Sequence, residues 1–166
     1  MLNADPNHTQ LAADFTVAQY EWACAAKDRD AIADALRRRF RERYIEPLTS
    51  DRPHKMHGFT IMAVCCLMVE SLESFRQGWE DTKGKGKRAF DSFFKHHNQF
   101  AELRGQSGQF WKHVRCGILH QAETTGGWRI TRKKDAPLLN TTKPYTVNAA
   151  RFLHRLQKVL DSFCDD

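Results

Sequence analysis

The sequence has no Cys-x-x-Cys pair, no signal-like N-terminus and no apolar run long enough to cross a bilayer. Its five cysteines, Cys24, Cys65, Cys66, Cys116 and Cys164, are odd in number, and two are adjacent. That pattern is neither a disulfide framework nor a zinc ribbon. Reduced thiols are the simpler reading, and the expected location is the cytoplasm. Residues 1–6 carry no basic segment followed by an apolar one, so they are not a secretory signal. The longest apolar run, residues 59–69, is short of the ~20 residues of a spanning helix, so no membrane partner is expected. There is no internal repeat, and the Lys/Gly stretch lacks the Gly-Lys-Ser/Thr ending of a nucleotide P-loop. No cofactor is expected.

What is present is a basic, helix-forming chain. Lys and Arg number 26 against 20 Asp and Glu, for a net charge of +6. That excess suits an acidic partner such as RNA, and it equally serves solubility. At 166 residues and 41% hydrophobic, the chain is long enough for a single domain, 1–166, with a real core. Residues 1–10 are polar and expected to fray.

Helical spacing of apolar residues predicts a first helix over 11–27 and a second over 30–46, with Asp28 as its cap and Pro47 as its stop. The second carries Arg37, Arg38, Arg39, Arg41 and Arg43 on its outer face. That face is either solvated, with Asp34 and Glu42 nearby, or set against phosphates. A loop over 49–58 holds Pro53, His54 and His57. Residues 59–77 form the most buried helix, with Gly78 as its stop. Glu70 ends its apolar run and must find a partner or lie near a surface. It is either an ion-pair or capping residue, or it orients a reactive neighbour. Residues 80–88 form a loop with Lys83, Lys85, Lys87 and Arg88 spaced by glycines. It either wraps a phosphodiester backbone or is a solvated turn. A phenylalanine-rich core helix follows over 89–104, with a break at 105–108. Residues 126–145 read as an insertion in which 128–131 and 138–140 pair as a small β-hairpin. Asn148 caps a last helix whose apolar face is Phe152, Leu156, Val159, Leu160 and Phe163. The fold class is all-α apart from that hairpin.

Residues 109–123 stand out. Phe110, Val114, Ile118 and Ala122 recur every four positions and mark one side as core. Arg115 and His120 fall on the flanks of the outward half, with the apolar Leu119 between them. Arg115-Cys116-Gly117-Ile118-Leu119-His120 resembles the Arg-x(4–6)-His motif of the HEPN superfamily, and the likeness covers residues 31–123. It implies a small helical bundle, often a homodimer. It also implies a metal-independent endoribonuclease of toxin–antitoxin or phage-defence type, with an antitoxin protein as a further partner. Active members usually carry Asn, Asp or His after the arginine, where this chain has Cys116. That departure leaves open a non-catalytic RNA-binding or regulatory module.

The chemistry suits the residue types. Histidine titrates near neutrality and can move a proton, while arginine stays charged and offers forked donors to phosphate. The resemblance implies His120 as acid/base and Arg115 as phosphate clamp. Glu70, His113 and Cys116 are candidate supporting residues, with His113 lining an RNA groove. On a straight helix Arg115 and His120 point about 140° apart. Either the helix distorts at Gly117, or a second subunit completes the site and buries Leu119. A rival reading takes His113, Cys116 and His120 as one metal-ligating stripe, with His97 or Glu70 as fourth ligand. The expectation adopted has no metal.

Overall fold

Thr16 and Gln19 set where the first helix begins. The Thr16 hydroxyl accepts from the Gln19 amide, and the Gln19 side chain accepts from the Thr16 amide. Reciprocal capping of this kind satisfies two otherwise orphaned donors. Helix α1 therefore runs Val17–Ala26, later than the spacing from Leu11 predicts. The preceding residues form a hairpin instead. Strand β1 (Gln10–Ala12) pairs antiparallel with β2 (Phe15–Thr16), and the chain reverses through Asp14 at φ 57°.

The computed structural model describes Asp5, residues 7–49 and residues 57–165. Residues 1–4 and Pro6 of the expected frayed end, and Pro53 and His54 of the expected loop, lie outside the described residues. Helix makes up 67% of the described residues, beside two small sheets. The chain divides into two compact units, Met1–Pro53 with Leu160–Asp166, and His54–Val159.

In the first unit, Asp28 caps helix α2 (Arg29–Phe40), accepting from Ala31 N at 3.0 Å. A wide π turn, Arg41–Ile45, and a short helix α3, Glu46–Thr49, follow without a break. Pro47 does not stop this helix. It lies just past the π turn, in a helix that continues to Thr49. Ala12, Phe15 and Ala35 form a small core with Leu11 packed against it. The arginine face of α2 is neither simply solvated nor free. Arg39 donates to Leu11 O at 2.8 Å, Arg43 to Gln10 O at 3.1 Å and Arg38 to Ala13 O at 3.4 Å. Arg37 pairs with Asp34 and Asp165, and Arg41 with Asp161. Glu42 accepts from Ala13 N rather than meeting an arginine.

The second unit is built on helix α4 (Gly58–Gln77), which buries Ile61, Met62, Cys65, Cys66, Met68, Val69 and Leu72 and ends at Gly78 in the left-handed region. Among the described residues it is the one helix long and apolar enough to cross a membrane, and half of its apolar stretch is buried within the fold. Helix α5 (Gly86–His96) begins earlier than expected and stops at His97, whose backbone is extended. The predicted helix over 89–104 is thus cut short. Arg104 turns back and donates to Phe94 O at 3.1 Å, satisfying a carbonyl near the end of α5. The chain continues as a 3₁₀ segment, Asn98–Gln106. The predicted break at 105–108 narrows to Gln106, whose backbone leaves the helical region (φ −122°); helix α6 (Ser107–Phe110), a π turn over Trp111–Arg115 and helix α7 (Cys116–Gln121) follow directly.

Phe90, Phe93, Phe94, Phe100, Phe110 and Phe152 are all fully buried, and Phe110 stacks on Phe152 at 5.5 Å. The expected hairpin is corrected. Strands β3 (Arg129–Thr131) and β4 (Leu139–Asn140) do not pair with each other. Each pairs with β5 (Thr146–Asn148), β3 in parallel and β4 antiparallel. Strand β5 lies in the centre because Val147 is fully buried between its two neighbours. Helix α8 (Ala149–Asp165) follows, with Asn148 accepting from Arg151 N at 3.2 Å as predicted.

Candidate active site: a Glu–Arg–His line beside a basic cleft

The motif segment buries only the first half of the predicted stripe: Ile118 is half-buried, and Ala122 is exposed past the end of α7, at φ 55°. Phe110 and Val114 are fully buried, and Leu119 is 47% exposed. The distortion is one turn earlier than Gly117. Cys116 N donates to Trp111 O, adding a residue to the turn that ends at Arg115. Single π turns of this sort often mark functional positions.

Arg115 reaches Glu70 on α4. Its Nε donates to Glu70 Oε1 at 2.6 Å and its Nη2 to Oε2 at 3.2 Å. The remaining terminal nitrogen, Nη1, lies 3.5 Å from His120 Nε2. A guanidinium has no acceptor, so this contact needs Nε2 to present its lone pair, with the proton on Nδ1. At that length it is a weak bond. The two motif residues therefore meet within one chain. Of the two expected alternatives, a distorted helix and a second subunit, the first is found, displaced from Gly117 to the π turn at Trp111–Arg115, and the long arginine stem, which a helical wheel ignores, spans the rest. A second subunit is not required for their approach.

Burial works against the Arg115 charge, but the Glu70 hydrogen bonds and charge outweigh it, and its pKa is raised. The pair is largely enclosed, at 20% and 12% exposure for Arg115 and Glu70. Burial raises the neighbouring Cys66 thiol, and the Glu70 carboxylate adds to that, so Cys66 stays protonated and unreactive. Cys116 is half-buried and touches the Arg115 side chain.

A cleft of about 410 Å³ opens beside this line. It is bordered by Glu70, Thr82, Lys83, Gly84, Gly86, Lys87, Trp111 and Arg115. The predicted basic loop divides. Lys83 and Lys87 border the cleft, whereas Lys85 and Arg88 lie over the Trp79 ring at 5.4 and 5.2 Å. Lys87 and Arg88 belong to the first turn of α5, not to a loop. Trp111 was missed by sequence reasoning. Its Nε1 is buried without a hydrogen-bond acceptor among the described residues. A Cβ at Gly86 would lie 2.9 Å from that atom, so only glycine lets α5 approach it.

His113 is not in the cleft. Its Nδ1 meets Thr125 Oγ1 at 2.9 Å, Thr125 N donates to His113 O, and a Cβ at Gly126 would fall 2.4 Å from the ring. Burial, then Lys112, lowers its pKa. It holds the turn after α7. His113, Cys116 and His120 do not gather as ligands, and no such group of three occurs among the described residues.

Comparison of the chain with protein-family models, with curated proteins and with solved structures finds no match.

Proposed function

We propose that the chain is a HEPN-like, metal-independent endoribonuclease of toxin or phage-defence type. The observation that carries this reading is the approach of Arg115 Nη1 and His120 Nε2 to 3.5 Å on one chain, beside a cleft with Lys83 and Lys87 on its border. RNA brings its own nucleophile. His120 Nε2 takes the 2′-hydroxyl proton, the 2′ oxygen attacks the phosphorus, and the 5′ oxygen leaves with a proton from solvent. Arg115 Nη1 steadies the extra charge on the phosphorane. Lys83 and Lys87 hold flanking phosphates. The products are a 2′,3′-cyclic phosphate and a 5′-hydroxyl. The exposed Leu119 suits a second copy of the chain, and an antitoxin protein would restrain the enzyme in the cytoplasm.

Two features favour a second reading. Glu70 already occupies two of the three nitrogens of Arg115, and Cys116 replaces the polar residue of active relatives. Both suit a HEPN-like module that binds RNA or a regulator without cutting. Labelled RNA in EDTA separates the readings. Cleavage that falls by about 10²–10⁴ in His120→Ala supports the first. Salt-sensitive binding without cleavage supports the second. Neither binding nor cleavage sinks both, leaving a helical interaction protein.

A further inference from the structure

Five basic side chains surround a second concavity that shares no lining residue with the Arg115 cleft. It holds about 230 Å³ and is bordered by Arg132, Lys133, Lys134, Arg151 and His154, with Asn148 and Ala150. Among the described residues no carboxylate lines it.

The backbone under these cations is pinned. Asn148 Nδ2 donates to Lys133 O at 2.9 Å and to Ala136 O at 3.1 Å. Arg151 Nη2 donates to Lys134 O at 2.9 Å, and the turn closes through Ala136 N to Lys133 O. Asn148 is itself buried and caps α8. The turn carrying Lys133 and Lys134 is thus fastened to the first turn of a helix by three side-chain bonds. The lysine ammoniums take no part in this fastening. Among the described residues no ion pair involves Lys133, Lys134, Arg151 or His154. The like charges of Lys133, Lys134 and Arg151, held close together, repel, and the positive end of α8 adds to the same field.

A second hollow adjoins the first across Lys133. It holds about 210 Å³ and is lined by Thr131, Asn140 and Thr146 among others. One hollow is cationic, and the next offers hydroxyls and an amide. That alternation matches a strand in which phosphate and nucleoside alternate.

We infer that the Arg132–Lys133–Lys134–Arg151–His154 hollow is a phosphate-binding site that grips an RNA strand outside the cleavage cleft. Its choice of RNA rests on the proposed function, but its test does not depend on cleavage. The full chain carrying His120→Ala is titrated with labelled single-stranded RNA in EDTA at several salt concentrations, with and without Lys133→Gln, Lys134→Gln and His154→Gln together. Arg151 is left in place because it fastens the turn. The expected result is affinity at least tenfold weaker and a salt slope smaller by about 0.7 for each phosphate the hollow no longer holds, at unchanged melting temperature. Equal affinity and slope in the two proteins overturn the proposal. So does a background protein that does not bind RNA, or one that binds phosphatidylserine vesicles in RNA's place. If wild type binds but never cuts, the catalytic reading fails while this one stands.

Discussion

Arg39 and Lys83 carry the same charge and are placed in opposite ways. Arg39 is spent: its guanidinium donates to Leu11 O and ties the β1–β2 hairpin to α2. Lys83 makes no ion pair among the described residues and borders an open cleft. Each stands for its surroundings. Arg37, Arg38, Arg41 and Arg43 meet carboxylates or backbone carbonyls, whereas Lys87, Lys133 and Lys134 pair with no carboxylate among the described residues. A run of basic residues is therefore not yet a binding surface. A cation is available to phosphate only where the fold has left it without a partner, and by that measure the densest arginine stretch is the poorest candidate in the chain.

Arg115, like Arg76 with Glu73 and Arg155 with Glu102, is paired in the second unit as the arginines of the first are, and breaking its pair gives the largest of the expected effects. Glu70→Gln leaves a mostly enclosed guanidinium without its counter-charge. Fully buried pairs lose about 3–5 kcal/mol on such a change, and partial exposure reduces this to roughly 2–3 kcal/mol. RNA affinity is expected to rise, because Nε and Nη2 are released, while cleavage falls, because the guanidinium is no longer aimed. Urea unfolding and a binding titration check this, and unchanged stability would count against the pair. Next comes Arg39→Ala. A hydrogen bond from a charged donor contributes about 1.5–3 kcal/mol, and partial exposure puts the loss near the lower end. RNA affinity and its salt slope should not change. If they fall, the arginine face binds after all and the comparison collapses. The double change Lys83→Gln with Lys87→Gln gives the converse: stability within about 0.5 kcal/mol and a salt slope lower by about 1.4 on single strands. A melting temperature that drops with no change in slope would mean these lysines are structural.

Much of the fold was legible because its signals are local. Asp28, Gly78, Gly126-Gly127 and Asn148 each act within a few residues, and each does what its side chain or its lack of one dictates. Thr16-x-x-Gln19 is equally local, and it, not the apolar spacing that begins at Leu11, sets where α1 starts. What spacing could not show depends on distant contacts. The 3₁₀ segment is tied back to α5 by Arg104 reaching Phe94 O. Strand β5 is central because two separated segments converge on it. Within the site, the types and positions of Arg115 and His120 were readable. Their closeness was not, because it depends on the π turn at 111–115, the arginine stem and a carboxylate on α4. Trp111 carried no signal beyond core spacing, since its role is set by Gly86 on another helix.

His97 shows a third way of handling charge, and it gives the smallest effect. The fold neither pairs this group nor leaves it open, but suppresses its charge. The ring lies 4.4 Å from Phe93 and 4.8 Å from the ring of His96. Burial, then His96, pushes its pKa from 6.5 down to about 4, with Glu73 pulling the other way and Arg76 adding to the lowering. The unfolded chain therefore binds a proton that the folded chain refuses between those two values. Stability from this group is complete above pH 6.5 and declines as pH falls toward 4, below which both states are protonated. His97→Gln removes the titration while keeping a polar side chain. Melting temperatures measured at pH 7 and pH 5 should then fall further for wild type than for the variant. Equal falls would mean that His97 is solvated enough to keep its proton in the fold, and that only pairing and exposure distinguish the cations of this chain.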